Sequence, residues 1–132
     1  MSYRVTFYGH GTFGVKIKEY MLLIDPFLSG NPSTKIKPDD VKPDYILITH
    51  GHGDHIGDAV EIVKRTGAKV IANAEVAKWM AKQGGGEVHA QHSGGGYNHP
   101  FGSLKLTLAL HGSSLPEGST GGMPAGLLIT TP

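Results

Sequence analysis

The stretch Thr49-His50-Gly51-His52-Gly53-Asp54-His55 gathers three imidazoles and a carboxylate into seven residues. His50 and His52 stand two apart, so in an extended segment both side chains leave the same face and can share one ion. Gly53 accepts backbone angles that other residues resist, and the turn it permits lets Asp54 and His55 serve a second ion beside the first. Imidazole suits zinc, iron, copper and nickel, and a nearby carboxylate extends the choice to manganese. A polar surface loop explains the stretch poorly, because bunched histidines flanked by glycines at a strand end answer neither packing nor solubility.

The neighbouring residues say how the cluster is carried. Tyr45-Ile46-Leu47-Ile48 is an apolar, β-branched run that reads as a buried strand, and from Gly57 onward apolar residues recur at helical spacing. The cluster therefore sits on a loop between a strand and a helix over residues 57–66, where α/β folds commonly place their chemistry. Gly67 stops that helix, residues 68–72 form the next strand, and residues 74–82 a second helix ended by Gly84-Gly85-Gly86. Strand, helix, strand, helix is βαβ logic. Trp79 and Met80 are expected to pack the second helix onto the sheet. Before the cluster, residues 3–8, 13–18 and 21–24 read as three short strands of an antiparallel meander, the last stopped by Asp25-Pro26. Residues 28–44, with Pro32, Pro38 and Pro43, read as a surface loop that could cover the site, and Asp39-Asp40 within it as a solvated turn.

Further candidates lie outside the cluster. His10, in the turn Gly9-His10-Gly11, is open to a structural or a site role. Asp25 ends a buried strand, where a lone carboxylate is costly unless paired; an ordinary turn aspartate before proline is the alternative. Residues 87–90 form a short strand, and Gly94-Gly95-Gly96 lacks the lysine and following helix of a phosphate loop, so it reads as a hairpin or rim loop. Of His89, His92 and His99, one near the site is reasonable and three are not. Residues 104–110 alternate as a long strand that delivers His111 at its end, the position a third imidazole for the first ion would take. Residues 115–124 form a Gly/Pro/Ser loop, and residues 125–131 a last strand.

Together, His50-x-His52-x-Asp54-His55, Gly9-His10-Gly11-Thr12-Phe13, Leu23-Ile24-Asp25-Pro26-Phe27, Ser29-Gly30-Asn31-Pro32 and Ala109-Leu110-His111-Gly112-Ser113-Ser114 resemble the metallo-β-lactamase superfamily. Within it they are similar to a branch of uncharacterised metal-dependent hydrolases and the ascorbate-6-phosphate lactonase type. The resemblance implies an α+β fold, the αββα sandwich, of which this chain is mainly the N-terminal half: a mixed sheet with helices on one face. It implies His50, His52 and His111 around a first ion, and Asp54 and His55 at a second. Asp54 would be both ligand and hydrogen-bond partner of the activated water. It places His10 at the rim of the site, Asp25 behind a ligand histidine as its orienting partner, and His92 in a His-x-Gly-Gly-like stretch near the site. Relatives of this kind continue to a His-x-Gly-Asp-like motif and a last histidine, which have no match here. The single domain over residues 1–132 is thus expected to be incomplete, completed by a second copy, or shortened.

Composition narrows the function. At 132 residues, 39% hydrophobic and 17% charged, the chain is an ordinary one-domain globular sequence. A net charge of +1 without a basic block argues for a small-molecule substrate over nucleic acid. No cysteine means no disulfide and no thiolate site. No signal-peptide pattern or membrane-length apolar run is read, so a cytoplasmic chain is the expectation. The sequence thus predicts a hydrolase with one or two divalent ions, zinc first and manganese second, acting on an ester, lactone or phosphodiester. The competing reading is a non-catalytic metal-binding protein that self-associates through an exposed sheet.

Overall fold

The computed structural model describes residues 2–84 and 86–132. Strands β1 (Tyr3–Gly9), β2 (Thr12–Ile17) and β3 (Tyr20–Ile24) form the antiparallel meander. Strands β4 (Tyr45–Leu47), β5 (Lys69–Ala72) and β6 (Val88–Ala90) extend it in parallel, giving one six-stranded sheet in chain order. Helices α1 (Gly53–Ile56), α2 (Ala59–Thr66) and α3 (Ala74–Gly84) connect the parallel strands. A second, antiparallel sheet is built from β7 (Gly96–His99), β8 (Gly102–Leu108) and β9 (Ala125–Thr130).

Two cores follow from the period-2 alternation of the central strands. Leu23, Ile46, Ile48, Val70 and Ala72 pack with Ile56, Ile62, Val63, Val76 and Met80 of the helices. Leu22, Leu47 and Ile71, one residue out of phase, pack with Leu104 and Leu106 of the second sheet and with Phe101 in its β7–β8 turn. Continuous apolar runs in β3, β4 and β5 are what a sheet covered on both faces requires. The result is the mixed α+β sheet with helices on one face and a sheet on the other, three layers of the expected sandwich.

Three boundaries differ from the sequence reading. The helix expected over 57–66 starts at Ala59, and a one-turn helix, Gly53–Ile56, occupies the end of the stretch read as a loop; the two are separated at Gly57, whose φ of 47° and approach to Pro26 leave no room for a Cβ, which would sit 2.4 Å from the Pro26 carbonyl oxygen. The stretch at Gly94–Gly96, read as a hairpin or rim loop, leads into a hairpin: Gly96 starts β7, an edge strand antiparallel to β8 whose polar residues conceal it from an apolar pattern. The strand expected over 104–110 starts at Gly102 and stops at Leu108, because its partner β9 begins at Ala125, opposite Leu108. Leu110 therefore lies outside the sheet, 92% exposed. The proline-rich loop is tied to the helix layer: Leu28 N and Ser29 N donate to Asp58 Oδ2 at 2.9 and 2.8 Å, and the Arg65 guanidinium donates to the carbonyls of Pro38 and Val41.

β9 is an edge strand of the second sheet, and β1 is left uncovered on its inner face. Tyr3, Val5 and Phe7 pair with Ile17, Val15 and Phe13 and share their inner face, yet stay 63%, 53% and 63% exposed. A groove of 230 Å³ runs beside them, bounded by Val15, Ile17, Ile129 and Thr131.

Candidate metal centre

The parallel register decides the geometry. Ile24 pairs with Leu47, so Asp25, the residue after β3, stands beside Thr49, just beyond β4. Asp25 is 2% exposed and sits at φ 46°, held by its amide donating to Leu47 O at 3.0 Å. Its Oδ1 accepts from Thr49 N at 2.8 Å, and its Oδ2 accepts from Thr49 Oγ1 at 2.6 Å and from His55 Nδ1 at 2.8 Å. The Thr49 hydroxyl, having given its proton to Asp25, accepts from His50 Nδ1 at 2.8 Å. One buried carboxylate thus sets the tautomer of two histidines: both carry their proton on Nδ1, and both Nε2 atoms keep a free lone pair.

For His50 that lone pair is buried with no hydrogen-bond partner. Such an atom calls for an explanation, an ion being one. His52 and His111 complete a triangle around it, with ring centroids 4.7 Å (His50–His52), 4.8 Å (His50–His111) and 5.1 Å (His52–His111) apart. One ligand atom from each of the three lies within 4.8 Å of the others. Burial, reinforced by the electrostatic influence of the neighbouring imidazoles, His55 foremost, lowers the His50 pKa to about 4, against the opposing pull of Asp25. His50 is therefore a neutral imidazole at neutral pH, the protonation state an ion needs.

His55, with its ring centroid 4.2 Å from that of His50, leads to a second group. His10, Asp54 and His55 also bring ligand atoms within 4.8 Å. His10 Nε2 donates to Asp54 Oδ2 at 2.9 Å, and His55 Nε2 stands 4.0 Å from Asp54 Oδ1. Burial works against ionisation of Asp54, but the His10 hydrogen bond and the potential of His55 outweigh it and hold its carboxyl below the usual range. The hydrogen bond to Asp25 raises the His55 pKa, burial opposing. Of the residues singled out in the sequence, His50, His52, His111, Asp54, His55, His10 and Asp25 come together. His92 does not: it is exposed on the connection between β6 and β7, where Gly94 N donates to Leu106 O along β8, and belongs to none of these groups.

Sequence reasoning assigned no role to Thr49, Asn73 or Ser113. The segment from Gly112 to Pro124 straps over Gly51, the residue between His50 and His52. Gly51 N donates to Ser113 Oγ at 3.0 Å, and Ala125 N to Thr49 O at 3.0 Å. Gly121 passes so close that a Cβ there would lie 2.5 Å from both Ser113 O and Ser113 Oγ. Asn73, buried before α3, staples the strap: Nδ2 donates to Gly121 O at 2.7 Å and Met123 O at 3.0 Å, while Oδ1 accepts from Val76 N at 2.8 Å. Asn73→Asp keeps the helix cap and removes both donors. It is expected to cost about 1–3 kcal/mol and to lose amide-exchange protection at Gly51 and Ala125 while α3 stays protected. Unchanged exchange at Gly51 would separate the strap from the staple.

Known proteins share the sequence and fold of this chain. The model of the metallo-beta-lactamase superfamily matches residues 14–128. The UPF0173 metal-dependent hydrolase YtkL of Bacillus subtilis is 46% identical over 96% of this chain and 58% of its own length. Igni18, a metallo hydrolase from the hyperthermophilic archaeon Ignicoccus hospitalis, superimposes with a TM-score of 0.84 at 33% identity, over 96% of this chain and 55% of that one. An isothiocyanate hydrolase from Delia radicum gut bacteria shares the fold, with a TM-score of 0.71 at 20% identity over 98% of this chain and 58% of that one. The chain thus spans little more than half the length of the relatives it matches. Among the described residues no helix is long and apolar enough to cross a membrane. With its histidine-rich loop at the end of β4 and its three layers, the chain belongs to the metallo-beta-lactamase superfamily.

Proposed function

We propose that this chain carries the metal centre of a metal-dependent hydrolase acting on a small-molecule ester, lactone or phosphodiester. The observation that carries the reading is His50 Nε2, buried without a partner and framed by two more imidazoles. His50, His52 and His111 would hold a first ion, with zinc the first choice for an all-imidazole set and manganese the second for the adjoining carboxylate. Bound there, the ion would lower the pKa of a coordinated water and polarise the scissile bond. The chain's own residues supply the rest. Asp25, directly at His55 and through Thr49 at His50, holds the imidazole proton on Nδ1 and leaves Nε2 to face an ion. Asp54, ionised and half exposed, is placed to accept a hydrogen bond from the attacking water and to take its proton at a carboxylate oxygen. The names of the relatives, metal-dependent hydrolases, support the reaction class, and a net charge of +1 without a basic block supports a small molecule over nucleic acid.

One observation favours a second reading, metal binding without turnover in a self-associating chain. The inner face of β1 lies open at Tyr3, Val5 and Phe7, and a second copy could cover it. Elemental analysis of zinc- and manganese-loaded chain, read with native mass and with hydrolysis of a chromogenic phosphodiester, an ester and a lactone, separates the two. The expected result is bound metal and turnover of at least one substrate, both lost on chelation. Bound metal in a dimer without turnover supports the second reading, and no bound metal ends both.

A further inference from the structure

We infer that His10 is a protein ligand of a second divalent-cation site, shared with Asp54 and His55. The inference rests on the metal-centre reading above and adds a residue to it, since the histidine-rich loop by itself offers a second ion only Asp54 and His55.

The argument starts from the backbone. His10 has φ 57°, between Gly9 at φ 101° and Gly11. At such a turn position glycine is the comfortable residue and any side chain is uncommon, with asparagine, aspartate and histidine the ones that tolerate it best. Of the three non-glycine residues with positive φ among the described residues, Lys18 lies in the hairpin between β2 and β3, and Asp25 orders the histidines. A histidine kept at the remaining one points to work done by its ring.

The ring's surroundings say what that work is. His10 Nε2 lies 2.9 Å from Asp54 Oδ2, and the His10 and His55 ring centroids are 5.4 Å apart. Phe27 packs edge-on against His10 at 5.3 Å and fixes its tilt. The turn is shaped around His55 as well, because a Cβ on Gly11 would come within 2.8 Å of His55 Cε1. With His55 Nδ1 committed to Asp25, its Nε2 is the atom left to face Asp54. The three ligand atoms share a space no wider than 4.8 Å. His10 and Asp54 remain 42% and 50% exposed, so an ion can reach them from solvent. Two imidazoles and one carboxylate suit zinc, cobalt or manganese, with positions left for water.

The test uses the chain as it stands. Wild-type chain, His10→Asn and His10→Gly are loaded with zinc or cobalt, desalted, and measured by elemental analysis and native mass spectrometry. Wild type is expected to retain close to two ions, and both variants close to one. Metal-free unfolding of the variants is expected to match or exceed wild type, because both residues suit the left-handed turn. The cobalt spectrum should lose one component and keep the other. Two ions in wild type and in the variants would overturn the assignment, with Asp54 and His55 sufficient alone. One ion in each would overturn it while leaving the His50, His52, His111 site standing. No ion in wild type would overturn both this assignment and the reading it rests on.

Discussion

Asp25→Asn is expected to weaken metal binding by about 10–100-fold, the usual effect of losing an outer hydrogen-bond partner of a ligand histidine. The substitution barely disturbs the backbone, because asparagine tolerates the φ of 46° that Asp25 adopts. Its chemical effect is on protons. The amide oxygen can still accept from Thr49 N, but an NH₂ group then faces Thr49 Oγ1 and His55 Nδ1, where the carboxylate accepted from both. His55 can meet a donor only by carrying its proton on Nε2, the atom that would face an ion. Thr49 must turn its hydroxyl away, and His50 loses its fixed tautomer with it. Asp25→Ala removes the acceptor altogether. Three donors then lack their partner in a buried pocket, and stability should fall by about 3–5 kcal/mol, a large part of the roughly 5–15 kcal/mol available to a domain. Calorimetric titration with zinc and urea unfolding of the metal-free proteins check both. Wild-type affinity in Asp25→Asn would sink the tautomer argument even if Asp25→Ala unfolds.

The metal-free chain is expected to lose stability as pH falls from about 6.5 towards 4. Burial lowers His50 to about 4, and burial together with the nearby charges of His89 and Lys69 does the same for His99. Unfolded, both groups take up a proton near their ordinary value, so over this interval the unfolded chain binds more protons and gains on the folded one. Above that interval neither contributes. Each is worth at most about 3 kcal/mol. His55, whose pKa is raised, acts in the opposite sense: its contribution is present at low pH and lost as pH rises through its folded value. His99 isolates the effect, since it lies away from the candidate ligands. Its Nε2 donates to Gln91 Oε1 at 2.7 Å, and its ring stacks on Phe101 at 5.1 Å. His99→Phe keeps the aromatic contact and removes the proton site, so roughly half of the acid loss should disappear. Urea unfolding at about pH 7 and pH 4.5 measures it, and an unchanged difference between the two would locate the acid sensitivity elsewhere.

What the sequence determined by itself is local. The ligand-bearing stretch is legible because its residues are consecutive and glycine-spaced, and the strand before it because Ile46, Leu47 and Ile48 are apolar without interruption. The helices are legible from their period, and Asp25 from the cost of a carboxylate at a buried strand end. Tertiary structure decided which distant groups meet. Nothing local says that Asp25 faces Thr49; the parallel register of Ile24 against Leu47 does. Nothing local separates His10 from His92, both in glycine-rich stretches. The β1–β2 turn carries one onto Asp54, and the β6–β7 connection leaves the other in solvent. Asn73 resembles any helix cap until Gly121 and Met123 arrive at its amide. The physical reason is common to all three. Periodicity reports which face of one element is apolar, whereas hydrogen-bond partners across a site depend on how strands are registered and where loops return, and that is settled only when the whole sheet closes.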